Sequence, residues 1–338
     1  MTIPQSALWQ RMRQRALDAI PTGSQVDFKS PMTLAAWQMQ GTYTISSASS
    51  SKFTIAAASS DFGGALLSDA AFHLDHALEH QASLMKALAN GQWSSPAWQL
   101  VTFYYWSYFC AMSLSRMQGR TVWFVTPNVA KQFDILTTAG SSPVQKGTYE
   151  LTCGDPLSAE MRCIYLVKRQ KHVHEQLWKT VFDLFNSLYK EVGAGIATSQ
   201  EERLYLAIIN SSQILGDDWP SALRNVVNYR PGFAYTAPRF KSCVDAFTYL
   251  SSQDQSIDGI IDRLENNNIV MRNSPSIETQ PKIAAKMLAD LTVLLSHIAN
   301  ALHEEIVDRS KVDKRWLQSK RRFAKDQGIF TNGNTWPC

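Results

Sequence analysis

The chain has 338 residues, of which 45% are hydrophobic and 18% charged, and its formal net charge is +4 at pH 7. That is the composition of an ordinary globular protein with room for one large or two modest domains, and its charge is too small to mark a nucleic-acid binder by itself. Five scattered cysteines (Cys110, Cys153, Cys163, Cys243 and Cys338) contain no CxxC pair, so neither a disulfide framework nor a zinc knuckle is indicated.

Arg11, Arg13, Arg15 and Asp18 occupy the place where a secretion signal would be apolar, so reduced thiols and a cytoplasmic location are expected. Residues 5–19 have helical spacing, with Leu8, Met12 and Ala16 on one side, and Pro21 ends the segment. From 22 to 66 the chain turns to Ser, Thr and Ala, which reads as irregular structure with one or two short strands.

Residues 68–122 read as a helical hairpin. Ser68 is placed to cap a helix whose apolar positions Leu74, Ala77, Leu78, Ala82, Met85 and Leu88 recur until Asn90-Gly91 stops it. Pro96 opens the next helix, which carries Trp98, Phe103, Tyr104, Tyr105, Trp106, Tyr108 and Phe109 nearly all round and must therefore be buried on most sides. The run at 97–114 is close to the lower length of a membrane span, but Gln99, Thr102, Ser107 and Ser113 favour a buried core helix, and no membrane partner is expected.

The Tyr104-Tyr105 pair, the pattern through Leu114 and the following Gly119 resemble the first hairpin of HEPN domains. The longer arrangement, with a β-prone segment after the hairpin and a late element at 223–235, resembles the YaaC-like branch of that superfamily over roughly residues 65–240. The fold the resemblance implies is mainly α: a HEPN-like helical bundle with a small inserted β segment and a C-terminal helical extension. The β-prone stretch is 121–168, and further helices are expected at about 171–192, 199–214, 239–266 and 281–323. Three regions follow: 1–66, with the first helix and the Ser-rich segment; 67–240, the helical core with its β insertion; and 241–338, the extension with a basic tail.

HEPN nucleases cleave RNA without metal through an Arg-x4–6-His motif, in which His moves a proton on the ribose or leaving oxygen and Arg stabilises the phosphorane. The element at the family position begins at Arg224, but Tyr229 and Arg230 stand where histidine is expected. Arg224 and Arg230, with Asn225, Asn228 and Tyr229, are suited to gripping phosphate and stacking on a base. The one literal match to the spacing is Arg169 to His174, at the start of the helix expected from 171, and Arg169 and His174 are thus the source of proton transfer if the fold carries them to Arg224. His73, His76 and His80 share a helix face at a spacing a metal could use, yet water or a partner helix is the expected neighbour, and no metal or cofactor is expected. In the tail, Lys314, Arg315, Arg321 and Arg322 interleave with Trp316 and Phe323, as in nucleic-acid contacts. Walker, GxGxxG, GxSxG and HExxH motifs are all absent from the sequence.

Two readings result. One is an RNA-directed, metal-independent endoribonuclease or toxin-like effector in bacterial defence. The other is a non-catalytic helical module that binds a partner protein or nucleic acid. Either is expected to act as a homodimer or as a subunit of a larger complex, with RNA as the first candidate partner.

Overall fold

The structure is a computed structural model that describes residues 7–24, 26, 32–49, 51–89, 96–137, 142–158, 160–192, 199–229, 256–309 and 315–327. Among these residues lie eleven helices and one five-stranded sheet. The mainly helical class and the small sheet are as the sequence implied.

Helix α1 (Ala7–Ala19) and the short α2 (Leu34–Gln40) lead into a β-hairpin, β1 (Tyr43–Ala48) and β2 (Lys52–Ala58). Helix α3 (Ser59–Ala89) follows directly and pairs with α4 (Pro96–Met117) as the expected hairpin. It starts nine residues before Ser68, crossing the boundary placed at residue 66. Phe62, Ala65, Leu66 and Leu67 extend its buried face, and the helix-weakening Gly63 is there because a Cβ would lie 2.5 Å from Ser24 Oγ.

After α4 come β3 (Arg120–Val125), α5 (Pro127–Leu136), β4 (Gly147–Pro156) and β5 (Met161–Arg169). Helix α5, capped by the Thr126 hydroxyl with Pro127 at its first position, interrupts a stretch that reads as β-prone throughout. The sheet order is β1-β2-β5-β4-β3, with neighbours antiparallel. The inserted segment therefore supplies three strands, and the Ser-rich region supplies the other two through the pairing of Ile55 with Ile164. Alternation explains the register: Phe53, Ile55 and Ala57 of β2 and Ile164 and Leu166 of β5 are buried, whereas Tyr165 is exposed. Phe53 rests against Phe133 of α5 at 5.0 Å and Tyr149 of β4 at 5.2 Å.

The remaining helices are α6 (Val173–Val192), α7 (Ser199–Leu215), α8 (Trp219–Tyr229), α9 (Ile257–Asn273), α10 (Pro281–Arg309) and α11 (Arg315–Asp326). The long helix expected over 281–323 is thus two helices, and of the one expected over 239–266 the described part begins at Ile257 under the Ser256 cap. Helix α4 is the hub, in contact with α3, α6, α8 and α10. Its all-round aromatic character is the consequence: Leu100, Phe103, Tyr104, Trp106, Tyr108 and Cys110 are buried on different sides. By length and composition α10 passes for a membrane span, but 83% of its most apolar window is buried inside the protein, as in a core helix.

Gly119 closes α4 with φ +61°, donating its N–H to Arg116 O at 2.9 Å. A Cβ there would stand 2.7 Å from Ala19 Cβ and 2.9 Å from Cys153 Sγ. Gly119→Ala should therefore lower stability by about 1–3 kcal/mol, because it combines left-handed strain with a clash. The check is the denaturant midpoint, and an unchanged value would contradict this packing.

Candidate functional site

The site is built on α4, where the four-residue spacing places Tyr104 over Tyr108 and Tyr105 over Phe109. Tyr104 and Tyr108 are buried, while Tyr105 and Phe109 are half-buried, so the first pair forms a floor and the second reaches outward.

Helix α6 brings His174 to this floor from its first turn. Leu177, Trp178 and Val181 bury the adjoining face and fix the helix against α4. The His174 ring stacks on Tyr108 at 4.3 Å with its plane 23° away, and its Nδ1 lies 2.8 Å from the Tyr104 hydroxyl. Trp178 Nε1 donates to the same hydroxyl at 3.4 Å, and Ser221 of α8 also bonds to it.

Helix α8 brings Arg224. Its buried residues Trp219, Leu223 and Val227 turn one face inward, and Arg224 lies beside α4. One terminal nitrogen of the guanidinium donates to Tyr105 Oη at 3.2 Å and the other to Asn225 Oδ1 at 2.8 Å. Its carbon is 5.8 Å from the Tyr104 ring centre and 5.9 Å from those of Tyr105 and Tyr229. Its Nε is buried without a hydrogen-bond partner, and no carboxylate pairs with it among the described residues. Among the described residues it is a cation held by rings and not by an acid.

This cation shapes the titration of its neighbours. Burial, reinforced by the Arg224 charge, pushes His174 down to about 4, so the imidazole is neutral at neutral pH. Burial raises Tyr104 well above the usual phenol range and Tyr108 to about 12, so both keep their protons. The chemical inventory is a permanent cation, an uncharged imidazole and protonated phenols. That set suits an anion flanked by a flat group.

The structure brings His174 and Arg224 together, although they come from different helices. Arg169 is elsewhere: with Arg120 it clamps the buried Glu150 carboxylate, each at 2.7 Å. Burial raises the Glu150 carboxyl, but the two arginines outweigh it and hold the group below its ordinary value. Asn225 braces Arg224, Asn228 is exposed, and Tyr229 is 71% exposed at the outer edge. Arg230 and Lys314 lie outside the described residues, as does the side chain of Arg315. In the tail, Arg321 pairs with Glu304 at 2.9 Å and the outward Arg322 lies 3.9 Å from Asp326. Buried Lys320 pairs with Asp75 at 2.9 Å, fastening α11 to α3.

His73, His76 and His80 face the partner helix of the hairpin, and all three stack on Phe109. No group of three or more His, Cys, Asp or Glu side chains is placed to hold a metal among the described residues. The residues that reading by motif passed over are Tyr108, Trp178 and Ser221. Tyr108 carried a signal, since it repeats Tyr104 four residues on, beneath the two elements that supply chemistry.

Comparison with known proteins gives no matching family model, no matching curated protein and no matching solved structure.

Proposed function

We propose that the protein acts on RNA as a metal-independent endoribonuclease, with Arg224 as the phosphate-binding cation and His174 as the proton-transfer group. The observation that carries this reading is the meeting of an arginine that has no carboxylate partner among the described residues and a neutral imidazole over one tyrosine floor, in a chain whose α3–α4 hairpin resembles that of HEPN domains.

Trp178 N–H donates to the Tyr104 oxygen, and in this mechanism His174 Nδ1–H donates to it as well. That tautomer leaves the Nε2 lone pair of His174 free to take the proton of a ribose 2′-hydroxyl. The 2′-oxygen bonds to phosphorus while the phosphorus–5′-oxygen bond breaks, and His174 Nε2 gives the proton it took to the departing 5′-oxygen. The products are a 2′,3′-cyclic phosphate and a 5′-hydroxyl. Arg224 neutralises the charge that grows on the phosphoryl oxygens, and Tyr229 offers its ring to the neighbouring base.

The depressed basicity of His174 favours a second reading, a site that grips RNA without turnover, because a base is most effective near the working pH. The pH profile separates the two. In the enzyme reading the base is competent when neutral, so cleavage in EDTA rises as pH increases through about 4 and is flat from pH 5 to 8. A rise centred near about 6.5, the ordinary imidazole value, would contradict the burial and Arg224 contact assigned to His174. Salt-sensitive binding with intact RNA at every pH would establish the second reading.

A further inference from the structure

The ring contacts do not stop at Arg224. On α4, Tyr105 stacks with His80 of α3 at 5.8 Å, and His80 stacks on Phe109 at 5.5 Å. Phe109 stacks with His76 at 5.0 Å, and His76 meets Phe72 edge-on at 4.5 Å. At the other end, Arg224 is bounded by Tyr229. The two ends are the most open, Phe72 at 44% and Tyr229 at 71% exposure, and His76, His80, Tyr105 and Phe109 between them are half-buried.

We infer that this line of rings along the α3–α4 hairpin is the track on which single-stranded RNA lies as it enters the Arg224 site. The inference rests on the RNA reading proposed above and adds the form of the substrate and its direction of approach. Rings accept any base by stacking, and a duplex, whose bases are already stacked, has no faces to offer them. Three features favour a strand of bases over a second copy of the chain. The line is continuous with Arg224, which has no carboxylate partner among the described residues, its rings are imidazoles and phenols as well as Phe, and aliphatic residues do not contribute to it. One group opposes an anionic strand: the exposed Glu79 carboxylate, 3.7 Å from His76.

The test is fluorescence anisotropy with labelled 2′-O-methyl oligouridylates, which cannot be cleaved, of about 12 and about 3 nucleotides, and with a duplex of the longer strand. Wild-type protein should prefer the long single strand. Phe72→Ala should weaken its binding about 5- to 10-fold, and weaken the short strand less, because loss of one stacking ring is felt only where a base reaches it. Glu79→Gln should tighten the long strand, Arg224→Ala should weaken both, and Ile135→Ala on α5 serves as a distant exposed control. If Phe72→Ala and His80→Ala leave the long strand unaffected while Arg224→Ala does not, the track is overturned and the phosphate site stands. No binding by wild type would remove both. If Phe72→Ala splits a dimer with RNA affinity unchanged, the face belongs to a second copy and the track is likewise overturned.

Discussion

Replacing Arg224 with alanine is expected to slow RNA cleavage by about 10²–10³-fold, the usual cost of losing one group that stabilises transition-state charge. Stability should change little, because the guanidinium has no ion pair to lose among the described residues and its hydrogen bonds go to the half-buried Tyr105 and to its own neighbour Asn225. Arg224→Lys keeps the charge but not the planar fork spread between Tyr104, Tyr105 and Tyr229, so its activity should fall between the two. Initial rates and thermal midpoints measured on the same preparations separate the catalytic effect from a folding defect. A large fall in midpoint with Arg224→Ala would mean that the arginine is a structural clamp.

The largest effect on stability should come from Asp69. Its carboxylate, 10% exposed, accepts from Arg116 Nε at 2.7 Å and lies 3.4 Å from His73 Nε2, while the Arg116 side chain is 7% exposed. Burial raises the Asp69 carboxyl, but Arg116 outweighs it and holds the group far below the usual carboxylate range, so it is charged throughout the neutral range. Asp69→Ala strands a buried guanidinium in the α3–α4 seam and should cost about 3–5 kcal/mol by denaturant unfolding. The double variant Asp69→Leu/Arg116→Met should recover much of that loss, since no charge remains to be stranded. If the single variant costs under about 1 kcal/mol, water reaches Arg116 and the seam is looser than its geometry implies. The sign of the pH dependence follows from the depressed carboxyl. Its stabilisation is complete above the unfolded carboxylate pKa and is lost as pH falls toward the lower folded value.

These predictions separate what local sequence encodes from what it does not. The burial of most of α4 was legible because seven aromatics crowd twelve of its residues, although Trp98 near its start is 60% exposed. The two ends of α4 were legible from Pro96 and Gly119, residues with a steric reason to sit there. The start of α3 was hidden by Gly63, whose presence reflects close contact with Ser24 rather than a turn. Helix α5 was hidden between strands, and the pairing of β2 with β5 joins residues more than a hundred positions apart, beyond any periodicity.

The candidate site divides in the same way. Arg224 stood out by residue type and by its place in the element at 223–235, and His174 by its place at a helix start, but their meeting depends on α6 and α8 both packing on α4. Arg169 had the literal motif spacing to His174 and was drawn off by the buried carboxylate of Glu150, one strand away. Spacing along a chain describes one helix face. A site shared between helices is set by whatever each face must bury.

The most direct test of the central claim is a four-way comparison of wild type, Arg224→Ala, His174→Ala and the double variant, each incubated with mixed RNA in EDTA. The account predicts cleavage by wild type to 2′,3′-cyclic phosphate ends, loss in each single variant, and a double variant no slower than the worse single one, as for residues acting on one phosphate. RNA left intact by wild type, or cleavage that survives in both single variants, would contradict it.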